Sequence, residues 1–210
     1  MVMGQRIKIH SAGESAFEET RDVDSPDLRI ATLRANTRPS QIGILRDRLV
    51  STFEEFGINS DIKPQSCMAI EEALANAIYH GNLGLDSDLK EDGSSKFGEL
   101  AKERSEMAPW KDRSVSIVEL ATPFGVWITI ADEGEGFNVA RALEKTVDPE
   151  ALLASGRGLI MMKAFSDDLV FNSNGNEVTL VFYNKLNQDI KELLKHRAES
   201  RGSRCGNSVI

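Results

Sequence analysis

The chain has 210 residues, 40% of them hydrophobic and 28% charged, which describes a globular protein with one well-buried core and excludes a disordered or fibrous one. Its 33 acidic against 25 basic residues leave a formal charge of −8, which opposes loose attachment to nucleic acid and points to proteins and small molecules as partners. No apolar run approaches the roughly 18 residues of a membrane span, the first ten residues lack the pattern of a secretory leader, and Cys67 and Cys205 build neither a disulfide framework nor a cysteine zinc site, so a cytoplasmic protein without membrane contact is expected.

Residues 1–26 are polar, acidic from Glu14 to Asp24, and without sustained period; they are expected to form an extension or an irregular edge. Leu28 to Arg34 predicts a short strand. Ile42, Leu45, Leu49, Phe53 and Phe56 then recur at helical spacing, with Ser40 or Thr37 as candidate caps and Gly57 as the left-handed stop. A second helix is predicted from about Asp61–Pro64 to His80, ended by Gly81-Asn82. At about 100° per residue, Ile70, Leu74, Ala77 and Ile78 form its apolar stripe, while Glu72 and Asn76 share a different side. Residues 86–113 are an insertion with room for one short helix, in which Phe97, Leu100, Arg104 and Met107 share a side before Pro109.

Ser114 to Leu120 and Gly125 to Ala131 predict a hairpin around Thr122-Pro123-Phe124-Gly125, and its second strand delivers Asp132. Residues 138–155 are a partly helical connection. Ser155-Gly156-Arg157-Gly158 precedes the helical period of Leu159, Met162 and Phe165, and two further strands, Asp168 to Asn172 and Glu177 to Tyr183, flank an Asn-Gly turn. From 185 to 210 a polar helix with Leu186, Ile190, Leu193 and Leu194 on one side runs into a Ser/Gly/Arg tail. The element order gives an α+β two-layer sandwich: a mixed, mainly antiparallel sheet with helices on one face, spanning residues 27–184.

Three motifs stand in order: Glu72-x-x-x-Asn76 on a helix, Asp132-x-Gly134-x-Gly136-Phe137 after a strand, and Gly156-x-Gly158 before a helix. Alone, the acidic-glycine string also describes an ordinary turn. Together, Ala69 to Gly81, Ile130 to Phe137 and Ser155 to Met162 resemble the nucleotide site of the Bergerat-fold ATPases, the superfamily of gyrase, Hsp90, MutL and the histidine kinases, and within it the compact anti-sigma-factor serine kinases. The resemblance covers about Leu28 to Tyr183. It implies ATP and Mg²⁺ as ligands, with residues 138–155 as the lid over the nucleotide.

Residue chemistry agrees with what the family implies. Asn76 offers a neutral oxygen suited to Mg²⁺ held through nucleotide phosphates, and Glu72, one turn away, is placed to act as general base. Gly156, Arg157 and Gly158 would present backbone N–H groups to phosphate at a helix start. The resemblance assigns Asp132 to the adenine amine, Gly134 and Gly136 to the walls beside the base and, more loosely, Thr179 to the adenine end. None of His10, His80 and His196 lies on a helical hairpin ahead of the domain, as a histidine kinase requires, and no transducer domain is visible. The expected function is therefore a stand-alone switch kinase that holds a sigma factor or other regulator and phosphorylates a serine or threonine of an antagonist protein. The alternative is a nucleotide-gated binding module without catalysis. The resemblance allows a homodimer.

Overall fold

Two tight turns build one half of the sheet, from its middle to one edge. Ser114–Thr122 (β4) and Gly125–Ala131 (β5) pair about a turn in which the Phe124 N–H donates to Thr122 Oγ1 at 3.2 Å. Asp168–Phe171 (β6) and Glu177–Tyr183 (β7) pair about Asn174-Gly175, with Gly175 at φ +76°, a conformation cheap only for glycine. The structure is a computed structural model and describes residues 7–10, 17–58, 63–86, 96–145 and 157–184. The C-terminal helix expected from residue 185, much of the expected lid and Gly156 lie outside the described residues, within which no helix is long and apolar enough to cross a membrane.

Upstream of these hairpins run Ile7–His10 (β1), Phe17–Asp24 (β2) and Arg29–Asn36 (β3), and the sheet order is β1-β2-β3-β4-β5-β7-β6. A mixed sheet was expected, yet every strand pairing among the described residues is antiparallel. The reason lies in the order: β5 and β6 run in the same direction, but β7 separates them. Alternation along the strands sends Leu33, Ile117, Ile128, Ile130, Leu180 and Phe182 to one face. There they meet Leu45, Leu49 and Phe53 of Gln41–Glu55 (α1) and Ile70 and Leu74 of Lys63–Ala75 (α2). Val118 and Val170, on the other face, are exposed.

The first helix buries the stripe its spacing predicts, and Gly57 takes φ +64° at its end. Its start differs. Neither Ser40 nor Thr37 caps it; Ser40 makes no side-chain cap bond, and the Thr37 hydroxyl donates instead to the Arg113 carbonyl at 2.8 Å. The second helix begins around Pro64 as expected but widens at Asn76, so that Asn76–Asn82 form a π-helical turn with Leu83 N–H donating to Ile78 O at 2.9 Å. Gly81 therefore lies inside this turn rather than ending the helix. Within the insertion, Lys96–Arg104 (α3) packs the Phe97 ring 5.1 Å from Tyr79, and Met107, expected on the same helical face, lies beyond the helix and exposed.

The acidic N-terminal stretch is not an irregular edge but a strand whose inward face is charged. Glu19 and Glu119, both almost fully buried, converge on Arg48 of α1: Arg48 Nη2 lies 2.6 Å from Glu19 and 3.1 Å from Glu119. Thr52 donates to Glu119 at 2.7 Å, and Arg21 donates to Glu19 at 2.7 Å. Burial alone would raise the Glu19 pKa, but the hydrogen bonds and charges of Arg48 and Arg21 hold it below the ordinary value. Removing one partner leaves buried charge uncompensated. Arg48→Ala is expected to destabilise the fold by about 3–5 kcal/mol in equilibrium denaturation.

Candidate nucleotide-binding cleft

A cleft of about 1360 Å³ opens beside α2 and is lined from the π-helical turn, the loop after β5, Val139–Lys145 (α4), the start of Arg157–Phe165 (α5) and the β6–β7 turn. Residues from all three sequence motifs line it: Glu72 and Asn76, Asp132 and Gly136, Arg157 and Gly158.

At one end, α5 packs along α2 so closely that a Cβ on Gly158 would lie 2.7 Å from Glu72 Oε2 and 3.6 Å from Asn76 Nδ2. A side chain there would press on the flexible end of Glu72, so glycine lets the α5 start lie close to that carboxylate without displacing it. This end presents a carboxylate, the Asn76 carboxamide and a helix start with Arg157 exposed beside it, a set of groups suited to phosphate and to a hard cation held through phosphate oxygens. Among the described residues no cluster of three His, Cys, Asp or Glu could cage a metal ion, so Mg²⁺ would depend on the nucleotide for most of its ligands. Arg141 of α4, which the sequence reading passed over, also lines the cleft and is exposed.

At the other end sits Asp132. Its backbone N–H donates to Asn176 O at 3.0 Å, and its Oδ1 accepts from Gly134 N–H at 2.8 Å. Ala77, Ile130, Met162 and Val178 form apolar walls nearby. Burial pushes the carboxyl up to about 6, against the opposing pull of the Gly134 N–H and the Arg113 charge. A carboxylate fixed in an apolar slot is a directional acceptor for an exocyclic amine such as that of adenine.

The two glycines after Asp132 serve the protein more than the ligand. A Cβ on Gly134 would overlap the Gly81 carbonyl, and one on Gly81 would overlap the Asp132 carboxylate, so the loop and the π-helical turn touch backbone to backbone. Gly134 stands behind Asp132 and does not line the cleft. Gly136, at φ +74°, lets Phe137 N–H donate to Asn174 O at 3.0 Å and seats the loop on the β6–β7 turn.

Thr179, like Gly134, does not line the cleft. Period two along β7 points Val178 into the cleft and Thr179 to the other face, where its hydroxyl lies 2.8 Å from that of Thr129. Asn176 lines the cleft instead, with its Nδ2 3.4 Å from Asp132 O. Asn82 was also missed. Fully buried, it accepts from Glu133 N–H at 2.7 Å and donates to Thr37 Oγ1 at 3.0 Å. Both asparagines were legible only as turn or helix-stop residues, because the atoms they hold are remote in sequence.

Two outcomes follow from this geometry. The folded Asp132 carboxyl keeps its proton above the ordinary 3.8, so its ionisation opposes folding, and the unliganded protein should lose stability as pH rises from about 4 through about 6. Asp132→Asn should remove that loss, gaining on the order of 1 kcal/mol at neutral pH once solvent screening is allowed for, as read from thermal unfolding across pH. Gly134→Ala has backbone on its far side that cannot yield, and is expected to cost about 1–3 kcal/mol in the same measurement and to weaken nucleotide binding with it.

Comparison with known families places residues 35–182 in a match to the histidine kinase-like ATPase domain, a span running from the end of β3 to the end of β7 and containing all three motifs. No curated protein matches the chain. A carboxylate at a base end, an amide and a carboxylate at a phosphate end, and a match across more than half the residues agree: the chain belongs to the histidine kinase-like ATPase domain family, whose fold implies ATP binding and a regulatory role.

Proposed function

We propose that the protein is an ATP-dependent serine/threonine protein kinase of the anti-sigma-factor type, which holds a sigma factor or other regulator and phosphorylates an antagonist protein. The observation that supports this reading best is the approach of Gly158 to Glu72 and Asn76, which sets a carboxylate at the phosphate end of a cleft whose other end carries Asp132. Asp132 orients the base, and the Arg157 and Gly158 amides at the α5 start receive phosphate. Mg²⁺, when bound beside Asn76, supplies charge neutralisation on the phosphates. Glu72 accepts the proton of the partner's serine or threonine hydroxyl as its oxygen bonds to the terminal phosphorus, and the bond to ADP breaks. A cytoplasmic setting and a homodimer fit this role.

A non-catalytic, nucleotide-gated binding module is the second reading. It is favoured by the exposure of Arg141 and Arg157 on the cleft wall, since phosphoryl transfer is best served by cations fixed where charge develops. Labelled ATP, the protein and candidate antagonists decide between the two, since only a kinase moves label onto a hydroxyl.

Glu72→Gln is expected to abolish transfer, at least about a hundredfold, while leaving ATP affinity within a few-fold. Asp132→Asn is expected to weaken ATP binding itself, by about tenfold or more in calorimetry. Undiminished phosphorylation by the Glu72 variant would remove the catalytic assignment.

A further inference from the structure

The insertion does more than decorate the domain, because its last residue reaches the base end of the cleft. Arg113 Nη1 donates to the Asn82 carbonyl at 2.7 Å. The Arg113 carbonyl accepts from Thr37 Oγ1 at 2.8 Å, and Thr37 Oγ1 in turn accepts from Asn82 Nδ2 at 3.0 Å. This closes a ring through three segments remote in sequence. Asn82 then extends it, its Oδ1 accepting from the N–H of Glu133, the residue that follows Asp132. Asn82 is fully buried and Thr37 nearly so, while the two bonds of Arg113 are part-buried, and a hydrogen-bond ring largely withdrawn from water is intolerant of a missing member.

Charge adds a second line. Several ionisable groups line the cleft near Asp132. His80 engages Leu85 O through Nδ1, and Arg104 donates to the carbonyls of Leu83 and Gly84. Glu133 turns away to Ser114 and Arg34, while Glu135, Glu177 and Asp86 lie along the wall. Arg113 lines the same cleft, and its positive charge favours the ionised Asp132 carboxyl.

The geometry points to Arg113 as a positioning residue for base recognition: it ties the insertion to Asn82, fixes the loop that carries Asp132, and sets a cation beside the carboxylate that receives the base. This rests on the reading of the cleft as a nucleotide site.

The test is ATP binding from about pH 5 to 8 for the full chain and for Arg113→Gln and Arg113→Lys, each compared with its own Asp132→Asn counterpart so that titration of ATP itself cancels. Glutamine keeps a donor for the Asn82 carbonyl but loses the charge. It should move the Asp132-dependent midpoint upward by up to about one pH unit and weaken binding by up to about fivefold at the original midpoint, with the loss growing toward about tenfold below it and shrinking at high pH. Lysine should return the midpoint toward that of the unaltered chain. A midpoint unmoved by glutamine, a loss equal at every pH, or a glutamine variant that fails to fold beside a folded lysine variant would each overturn the role of Arg113. If Asp132→Asn leaves ATP binding unchanged, the base-site reading falls instead, and the two failures are told apart by that variant alone.

Discussion

One buried amide holds the base end of the cleft together. Asn82 closes the π-helical turn, and its side chain spends its bonds on Thr37 and on the backbone of Glu133, so the end of α2 and the loop after β5 cannot move independently. An ordinary α-helix continued through His80 would have rotated Asn82 to another bearing. Widening by one residue per turn carries Asn82 inward and leaves Gly81 against the Asp132 carboxylate, where no side chain fits. The position of the recognising carboxylate thus depends on a local departure from regular helix.

Charge is organised into two separate regions of the inner face of the sheet. Around Arg48, buried carboxylates are fully matched by arginines, and the result ties β2, β4 and α1 into one body. Around Asp132 the matching is deliberately incomplete: burial outweighs the Gly134 N–H and the Arg113 charge, and the carboxyl is left titrating near neutrality. A group that costs stability when empty and gains a partner when a ligand arrives is the usual signature of a binding site. The two regions differ in how fully the protein's own arginines and N–H groups compensate the buried carboxylates.

The insertion and the N-terminal strands are the parts of the chain that departed most from expectation, and for related reasons. Strand β2 buries Glu19 on the side where a strand normally shows an apolar residue, so period-two alternation of hydrophobicity could not reveal it. The insertion contributes few core residues of its own; Ala101 is buried, and Phe97 and Leu100 lean on the π-helical turn. Arg104 and Arg113 bring it to the cleft by donating to main-chain carbonyls at Leu83, Gly84 and Asn82, with the Trp110 ring under Arg104, and carbonyls carry no sequence signal.

What the sequence determined by itself is the order of elements, the two hairpins and the three motifs, since each rests on local physics: turn residues, helical spacing, and glycine where the backbone needs it. The spacing of Glu72 and Asn76 already put them one turn apart, and Asp132 already followed a strand. Only the tertiary structure decided that Gly158 meets Glu72, that Thr179 turns away while Asn176 turns in, and that Asn82 and Arg113 hold the loop. Those facts depend on strand phase, on one widened turn of helix and on contacts between residues about 30 to 90 positions apart, and no window of local sequence contains them.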